Sequence, residues 1–312
     1  MIRVRESFFL AITFVAVLSS TAHAALSYNF STFNLPGAYR TIPLGISGNN
    51  IVGSYYDANQ KRHGFLYDGT NYTTIDHPDA PNGTSVEGIS GNNVVGYYHN
   101  ATGVHSFHYD GTNYTTLNHP DATNGTIVKG ISGNNIVGYY NYGAGVHGWL
   151  YDGTKYTTID YPGLNPSSGG DGTYTVGISG NNIVGYYVRE YPDPVNNEKH
   201  GFLFDGTSYT VIDPPNSMHY TILTGISGSN IVGYYCDANW LYHGFLYDGI
   251  NYTTIDYPDS PNGTFVAGIV LAQRDLDFWP VCDKPSRTEE SPCERNVTTT
   301  PPRRRFLSSS VT

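Results

Sequence analysis

The sequence has little charge, little sulfur and no amphipathic segments rich in helix formers. Of its 312 residues, 13% are charged, three are Cys and two are Met. Without amphipathic helices the chain cannot form a helical bundle or a helical repeat protein. After the first residues, no stretch reaches the roughly 20 apolar residues that a membrane-spanning helix needs. We therefore expect no transmembrane segment in the body of the chain.

The residues that are abundant point to strands and turns. The chain has 36 Gly, 28 Tyr and 18 Pro, and its apolar positions are mostly Ile, Val, Tyr and Phe. β-branched and aromatic residues suit pleated surfaces, and glycine and proline suit the turns between them. The composition predicts an all-β fold.

Acidic residues dominate the middle of the chain. Between positions 26 and 270 there are 19 Asp and Glu against 7 Lys and Arg. Proteins that bind nucleic acid normally present Lys and Arg to the phosphates. We therefore expect no nucleic-acid partner.

The first 24 residues have the pattern of a secretory signal peptide. Arg3 and Arg5 precede an apolar run at 8–18, and small residues then lead to Ala24. The run is shorter than a membrane anchor, the alternative interpretation. We expect cleavage before Ala25 and a secreted, extracellular or periplasmic protein without a membrane span.

One segment recurs through the chain and organises it. The sequence GISGNNVVGYY at 88–98 returns with small changes at Gly45, Gly130, Gly177 and Gly225, and its opening returns at Gly268. The steps between these glycines are 43, 42, 47, 48 and 43 residues. Such a period indicates a repeat architecture.

Each period divides into four short strands. In the second repeat these are 84–89, 94–98, 105–109 and 114–118, with tight turns at 90–93 and at Asp110-Gly111. Four strands in 40 to 45 residues fit a propeller blade better than a coil of a parallel β-solenoid. The paired tyrosines, such as Tyr97-Tyr98, would then face opposite sides of the blade and pack between blades.

The blade count leaves one ambiguity. Five repeats are complete, while 28–34 resembles an extra fourth strand and Gly268 opens an extra first strand. We predict a β-propeller of five complete four-stranded blades, over 25–271, with a partial sixth or shared closing blade. The two extra strands either pair with each other or extend a five-bladed ring.

The repeats resemble the bacterial extracellular HAF repeats, which are named for a His-Ala-Phe tripeptide. The resemblance lies in segments such as 45–56 and 63–69 and covers about 28–270. Glycine stands in place of the Ala at four positions, Ser106 replaces it once, and Trp149 replaces the Phe; the glycines are Gly64, Gly148, Gly201 and Gly244. The resemblance implies an exported propeller of no assigned activity and supplies no catalytic residues.

Histidines and aspartates recur with the repeat and are first explained by structure. A histidine opens each third strand, at His63, His105, His147, His200 and His243. Third strands lie away from the axis, so we expect a hydrogen bond within each blade and no shared metal site. The Asp-Gly pairs are expected to form turns. No cofactor is predicted, although Ca²⁺ is an alternative at Asp76, Asp79, Asp256 and Asp259, whose oxygen-rich loops lack the order of a dedicated calcium loop.

Catalytic motifs are absent from the sequence. Because most polar residues are copied in every repeat, a catalytic set should appear as departures from it, and Glu87 and Glu190 are isolated acids. We therefore predict no catalytic residues.

The departures from the repeat lie in two connections that emerge on one face, the variable face. They join the second strand to the third and the fourth strand to the next blade. Loops on a rigid scaffold are where binding usually resides, although loops also drift when nothing constrains them. The candidate ligand-binding residues are Tyr142, Tyr191, Asp193, His219, Asp237, Trp240 and Tyr242.

The last residues, 272–312, differ from everything before them. The Gly and Tyr pattern stops, and arginine, proline and serine follow, a composition typical of a disordered tail. Cys282 and Cys293 are candidates for a disulfide, with Cys236 free or exchanging with them.

Three functions fit these observations. The first is an exported non-enzymatic protein that binds a glycan or a protein through the variable face. The alternatives are an extracellular polysaccharide hydrolase or lyase, with Glu190 or Asp193 as its acids, and a structural component of the envelope or matrix. The sequence does not specify the ligand or the oligomeric state.

Overall fold

The computed structural model describes residues 11–14, 33–166, 170–189, 198–257, 263–269 and 279–280. The regular elements of these segments are strands joined by short turns. Among the described residues, no helix has the length and apolar character to cross a membrane.

Five four-stranded antiparallel blades follow one another along the chain. The first contains β2 (Arg40–Ser47), β3 (Asn50–Tyr56), β4 (Arg62–Tyr67) and β5 (Tyr72–Ile75). The second contains β6 (Thr84–Ser90), β7 (Asn93–Asn100), β8 (Gly103–Tyr109) and β9 (Tyr114–Thr116). The third contains β10 (Thr126–Ser132), β11 (Asn135–Tyr142), β12 (Gly145–Tyr151) and β13 (Tyr156–Ile159).

The last two complete blades repeat this order. The fourth contains β14 (Gly172–Ser179), β15 (Asn182–Arg189), β16 (Glu198–Phe204) and β17 (Tyr209–Val211). The fifth contains β18 (Thr221–Ser227), β19 (Asn230–Cys236), β20 (Tyr242–Tyr247) and β21 (Tyr252–Ile255). The predicted β-propeller with five complete blades is confirmed.

A partial sixth blade lies between the fifth blade and the first. Its strand β22 (Phe265–Ile269) pairs in parallel with β1 (Ala11–Phe14), which pairs in turn with β23 (Trp279–Pro280). β1 comes from the segment assigned to the signal peptide, and cleavage before Ala25 stays a prediction. Most of the extra fourth strand expected at 28–34 lies outside the described residues.

The end of that extra segment is described and takes the position expected of a blade end. Phe33 packs against Phe65 of the first blade. Ile75, the equivalent residue one repeat later, packs against the second blade in the same way. The backbone N–H of Leu35 donates to Thr41 Oγ1 at 3.0 Å, and the same bond recurs at later blade junctions. The chain therefore enters the first blade as it enters the others.

The first strands of the blades approach each other around the axis. A Cβ added to Gly130 would lie 3.2 Å from the Cα of Gly177, and one on Gly268 would lie 3.2 Å from the carbonyl oxygen of Leu44. A Cβ at either position would press against the neighbouring backbone, so glycine suits this close approach. The last contact closes the ring between β22 and the first blade.

A β-bulge interrupts each of these first strands just before the glycine. The register with the second strand shifts there in all five blades. One extra residue stands at each bulge, and these residues are Leu44, Glu87, Lys129, Val176 and Thr224. A bulge re-aims a side chain, and here the two charged members come from neighbouring blades.

The apolar core lies between consecutive blades. One cluster joins Ile75 of the first blade to Val86 and Phe107 of the second, and another joins Val95 to Val128 and Trp149 of the third. The prediction that blades pack through their strand faces is therefore confirmed.

One tyrosine pair expected to lie between blades, Tyr55-Tyr56 of the first repeat, has a different register from the others. In the first blade Gly53 pairs with Phe65 as Gly96 pairs with Phe107, so Tyr55 matches Tyr98, and Ser54 takes the place of the first tyrosine.

Neighbouring blades are also joined by hydrogen bonds between their tight turns. A serine hydroxyl in each turn accepts from a glycine N–H in the next turn, at 3.0–3.2 Å. The pairs are Ser47 with Gly91, Ser90 with Gly133, Ser132 with Gly180, and Ser179 with Gly228. The face that carries the tight turns therefore has the same contact at four successive junctions.

Candidate functional site

The histidines that open the third strands bond within their own blades, as predicted. Four of them place Nδ1 2.6–2.7 Å from an aspartate just after the fourth strand, and His105 pairs with Asn118 instead. The four pairs are His63 with Asp76, His147 with Asp160, His200 with Asp213, and His243 with Asp256. These imidazoles hold the outer edges of separate blades.

Two of the calcium candidates have carboxylates that are used by the fold, and one candidate lies outside the described residues. The carboxylates of Asp76 and Asp256 contact histidines, and the N–H of Asp79 donates to His77 Nδ1. Asp259 lies outside the described residues. Within the described segments, no group of three or more His, Cys, Asp and Glu side chains has metal-site geometry.

The aspartates of the Asp-Gly turns cap their own loops. In each turn the carboxylate accepts from the N–H groups two and three residues further on; the five are Asp68, Asp110, Asp152, Asp205 and Asp248. The hydrogen bond from the Thr207 hydroxyl lowers the pKa of Asp205 most, and these backbone bonds lower it further. The predicted turn role is confirmed.

A charged cluster lies where the bulges of the second and third blades meet. The carboxylate of Glu87, 4% exposed, is 2.7 Å from Lys129 Nζ and 3.8 Å from the Arg62 guanidinium. Ser85 donates its hydroxyl to the same carboxylate. Burial opposes the charge on Lys129, but the Glu87 carboxylate together with Tyr139 and Tyr97 outweighs this effect and raises the pKa of Lys129.

Tyrosines from three further positions surround this cluster. Arg62 donates to the hydroxyl of Tyr97 at 2.9 Å. Burial raises the pKa of Tyr139, which also interacts electrostatically with Lys129 and Glu87. Burial raises the pKa of Tyr234, in the fifth blade, to about 12.

This arrangement bears on the enzymatic alternative. Glu87 is held by two cations and a hydroxyl, so it forms a structural ion pair instead of a free acid or base. Glu190 and Asp193, the acids named for that alternative, lie outside the described residues. Glu87 was visible as a departure from the repeat, but its partners Arg62 and Lys129 were not predicted.

The variable-face candidates fall into three groups. Tyr142 is 55% exposed in the third blade, with its ring 6.3 Å from that of His147. Tyr191 and Asp193 lie outside the described residues. The other four belong to the fifth blade or to the loop at 212–220 that leads into it, which we call the entry loop; they are His219, Asp237, Trp240 and Tyr242. The structure therefore concentrates the prediction on one blade.

The loop between β19 and β20 is shaped by Asp237. Its carboxylate accepts from the N–H groups of Asn239 and Leu241 at 2.9 Å, and these bonds lower its pKa. The loop leaves Trp240 with a φ of 62°, a left-handed conformation that bulky residues rarely adopt. The same turn in the first blade carries Gln60, with a φ of 63°. Asp237 therefore positions Trp240.

An exposed aromatic surface results, which we call the Trp240 platform: Met218, His219, Tyr220 and Trp240. The His219 and Trp240 rings stack at 3.9 Å with 12° between their planes, and the indole is 54% exposed. Met218 beside them is 66% exposed. Met218 and Tyr220 were not among the predicted residues.

The entry loop is fastened so that these side chains meet. The N–H of Met218 donates to the carbonyl oxygen of Cys236, and the N–H of Cys236 donates to that of Tyr220. Lys199 of the fourth blade places its ammonium 5.3 Å from the centre of the Tyr220 ring. The platform therefore has a cation at its edge and spans the boundary between two blades.

Tyr242 and Cys236 are less accessible than Trp240. The Tyr242 ring packs 4.7 Å from Phe265 and 6.0 Å from Tyr234, and it is half-buried. Cys236 is buried as a free thiol, and burial raises its pKa. Cys282 and Cys293, the predicted disulfide pair, lie outside the described residues.

Comparison with known proteins gives matches among solved structures alone. No family model matches the chain, and no curated protein matches it. A mutant of the Aleuria aurantia lectin, solved in complex with Fucα1-6GlcNAc, is 16% identical, with a TM-score of 0.45 over 77% of this chain and 87% of that one. A mutant of AofleA from Arthrobotrys oligospora is 14% identical, with a TM-score of 0.49 over 78% of this chain and 79% of that one.

A third similar structure is the β-propeller domain of the Trilobed protease from Pyrococcus furiosus. It is 11% identical, with a TM-score of 0.39 over 69% of this chain and 71% of that one. At these identities the similarity concerns the fold alone.

Proposed function

We propose that the protein binds carbohydrate through the Trp240 platform on its variable face. The observation that carries this proposal is the exposed indole of Trp240, stacked on His219 at the tip of a loop. The C–H face of a pyranose ring packs well on an exposed indole, and the hydroxyl groups of a sugar accept hydrogen bonds from cations at the edge. Lys199 supplies such a cation.

The backbone at Trp240 supports a functional role. A bulky residue in the left-handed region costs roughly 1 kcal/mol or more, and such costs cluster at binding sites. The equivalent turn of the first blade holds Gln60 in the same conformation, so the turn itself does not require an indole. Retaining an indole there is explained by a ligand that uses it.

The N-terminal pattern and the repeats extend the proposal. A cleavable signal peptide would place the protein outside the cytoplasm, where glycans are accessible, and membership of the HAF-repeat family would agree with export. We propose both from the sequence. Detection of the protein in the medium or periplasm, with Ala25 as its first residue, tests them.

A glycan array probed with the full chain and with Trp240→Ala tests the binding proposal. We expect a defined set of glycans to bind, and the substitution to weaken binding at least about tenfold, roughly 1.4 kcal/mol. His219→Ala should weaken it less, because His219 supports the indole from one side. Two controls, Tyr142→Ala and Gln60→Ala, change other residues of this face and should bind normally.

Two results would contradict this function. One is an array on which the unmodified protein binds no glycan. The other is equal loss of binding in Trp240→Ala and in Tyr142→Ala, which would place the ligand away from the platform.

A further inference from the structure

Lys199 of the fourth blade and Arg62 of the first blade occupy equivalent positions. Each stands in the third strand of its blade, two residues before the glycine of that strand. Arg62 reaches the next blade, where it donates to Ser85 Oγ at 2.5 Å and lies 3.8 Å from the Glu87 carboxylate. The second blade therefore supplies acceptors for the cation that reaches it.

The fifth blade supplies no equivalent acceptors to Lys199. Strand register places Ile222 where the second blade has Ser85, because each pairs with the first tyrosine of its second strand. Thr224 stands at the bulge in the place of Glu87, and its hydroxyl donates to a carbonyl oxygen of the partial sixth blade at 2.6 Å. The two groups that satisfy the first-blade cation are therefore both replaced at this junction.

Lys199 is consequently a half-buried cation without a carboxylate partner in the part of the chain that the structure describes. Glu198, next to it in sequence, has its carboxylate 3.5 Å from His200 instead. Burial lowers the pKa of Lys199, as expected for an ammonium that no anion stabilises. Burying a charge is costly unless an opposite charge pairs with it. The position is therefore suited to an anionic group from a ligand.

A second departure from the repeat places an aromatic ring beside this cation. Tyr220 stands where the entries to four other blades have glycine; these are Gly83, Gly125, Gly172 and Gly263. Its backbone forms the bridge to Lys199 that Gly172 forms to Val146 one blade earlier. The half-buried Tyr220 ring lies 5.3 Å from the Lys199 ammonium and 5.9 Å from the Trp240 ring. The cation is therefore separated from the exposed indole by a single aromatic ring.

We propose that the carbohydrate bound at the Trp240 platform is acidic, and that a carboxylate on the sugar unit next to the stacked one pairs with Lys199. This inference rests on the proposed carbohydrate function and names the class of sugar. A carboxylate accepts charge-assisted hydrogen bonds from an ammonium, which are shorter and stronger than those to a sugar hydroxyl. The repeat region is acidic overall and repels anions, so the ligand is held by this local pairing and not by a general attraction.

Isothermal titration calorimetry on the full chain tests this proposal. The probes are tetrasaccharides of galacturonate, mannuronate and glucuronate, each measured beside its fully methyl-esterified form, which keeps the sugar units and removes the charge. We expect at least one acid to bind at least about tenfold more tightly than its ester. Higher ionic strength should narrow this difference, because salt screens the pairing of a partly exposed cation.

Two variants should remove the preference for the acid. Lys199→Gln keeps an N–H donor without the charge, so it should weaken acid binding at least about fivefold and ester binding less. Thr224→Glu places an internal carboxylate where the second blade has Glu87, and it should also weaken acid binding. Lys155→Gln is the matched control, because Lys155 is exposed in a turn on the opposite face, and acid binding should stay unchanged. Thermal denaturation checks that Thr224→Glu is folded, and Lys199→Gln tests the pairing if it is not.

Trp240→Ala separates this proposal from the carbohydrate function itself, since it should weaken acid and ester alike. The acidic ligand is overturned, and the carbohydrate function kept, if acid and ester bind equally or if only neutral glycans bind. Equal loss of acid binding in Lys199→Gln and in Lys155→Gln would also overturn it. Absence of binding to every tetrasaccharide and to every glycan of the array would contradict both proposals.

Discussion

The second and fifth blades share one backbone plan but differ in what their side chains cover. In the second blade, Glu87 is neutralised by Lys129, and the His77 ring stacks on Tyr98. In the fifth, Thr224 stands at the bulge and donates to a backbone carbonyl, and Pro214, at the place of His77, is buried. Departures from the repeat in the second blade satisfy internal contacts, whereas in the fifth blade Trp240 is a departure that stays 54% exposed. The fifth blade is therefore where a ligand should act.

The strongest effect should come from residues that both blades need equally. A Cβ on Gly96 would collide with the carbonyl oxygen of Ser85 and the Phe107 ring, and one on Gly233 would collide with the carbonyl oxygen of Ile222. Gly96→Ala and Gly233→Ala should each destabilise the fold by roughly 3 kcal/mol or more, since strand backbone cannot move aside. Chemical denaturation measures this effect. Gly91→Ala is the control, because no atom lies within 4 Å and only its φ of 60° is unfavourable.

High pH should affect the two blades alike. Burial raises the pKa of Tyr114 in the second blade and of Tyr252 in the fifth to about 12. A tyrosine with a raised pKa stabilises the fold fully below its unfolded pKa of about 10, and this stabilisation is lost as the pH rises towards 12. Thermal unfolding followed with tyrosinate absorbance should show the loss between about pH 10 and pH 12. A steep loss below pH 9 would contradict this expectation.

The charged cluster should separate the blades. Glu87→Gln leaves Lys129 without its carboxylate and should cost roughly 3 kcal/mol, the lower end for a broken buried ion pair because Lys129 is partly exposed. Thr224→Val, at the equivalent position of the fifth blade, should cost about 1 kcal/mol by removing one hydrogen bond. Urea denaturation compares the two. Combining Glu87→Gln with Lys129→Met should recover part of the loss, and a further loss would show that Glu87 acts through other partners.

The smallest effect concerns the residue that leads from each fourth strand into the next blade, His77 before the second blade and Pro214 before the fifth. His77→Ala should cost about 1 to 2 kcal/mol, because it removes a ring that stacks at 3.9 Å on Tyr98. Pro214→Ala, at the equivalent position, should cost about 1 kcal/mol or less, because the unfolded chain becomes freer and a buried pyrrolidine ring loses contacts. Equal costs in the same denaturation experiment would mean that Pro214 stabilises the fifth blade as much as His77 stabilises the second.

The scaffold was predictable because its signals are local and repeated. Tight turns such as Ser90-Gly91-Asn92-Asn93 and the alternation within the strands determine four strands per period. Their copying along the chain then indicates blades around an axis. The first blade shows the limit of this reasoning: Tyr55 and Tyr56 look like the usual tyrosine pair, but strand register places Ser54 and Tyr55 there.

The site was only partly predictable, since its contacts join residues far apart in sequence. Trp240 and His219 were both candidates, but their stacking depends on how the entry loop bonds to β19. Glu87 and Lys129 meet because bulges in adjacent blades turn both side chains towards each other.

The serine-to-glycine bonds between tight turns have a consequence for how such chains arise. Every junction from the first blade to the fifth presents the same donor and the same acceptor. A gene segment encoding one blade can therefore be duplicated or deleted by unequal recombination, and the new neighbours meet through a contact that already exists elsewhere in the ring.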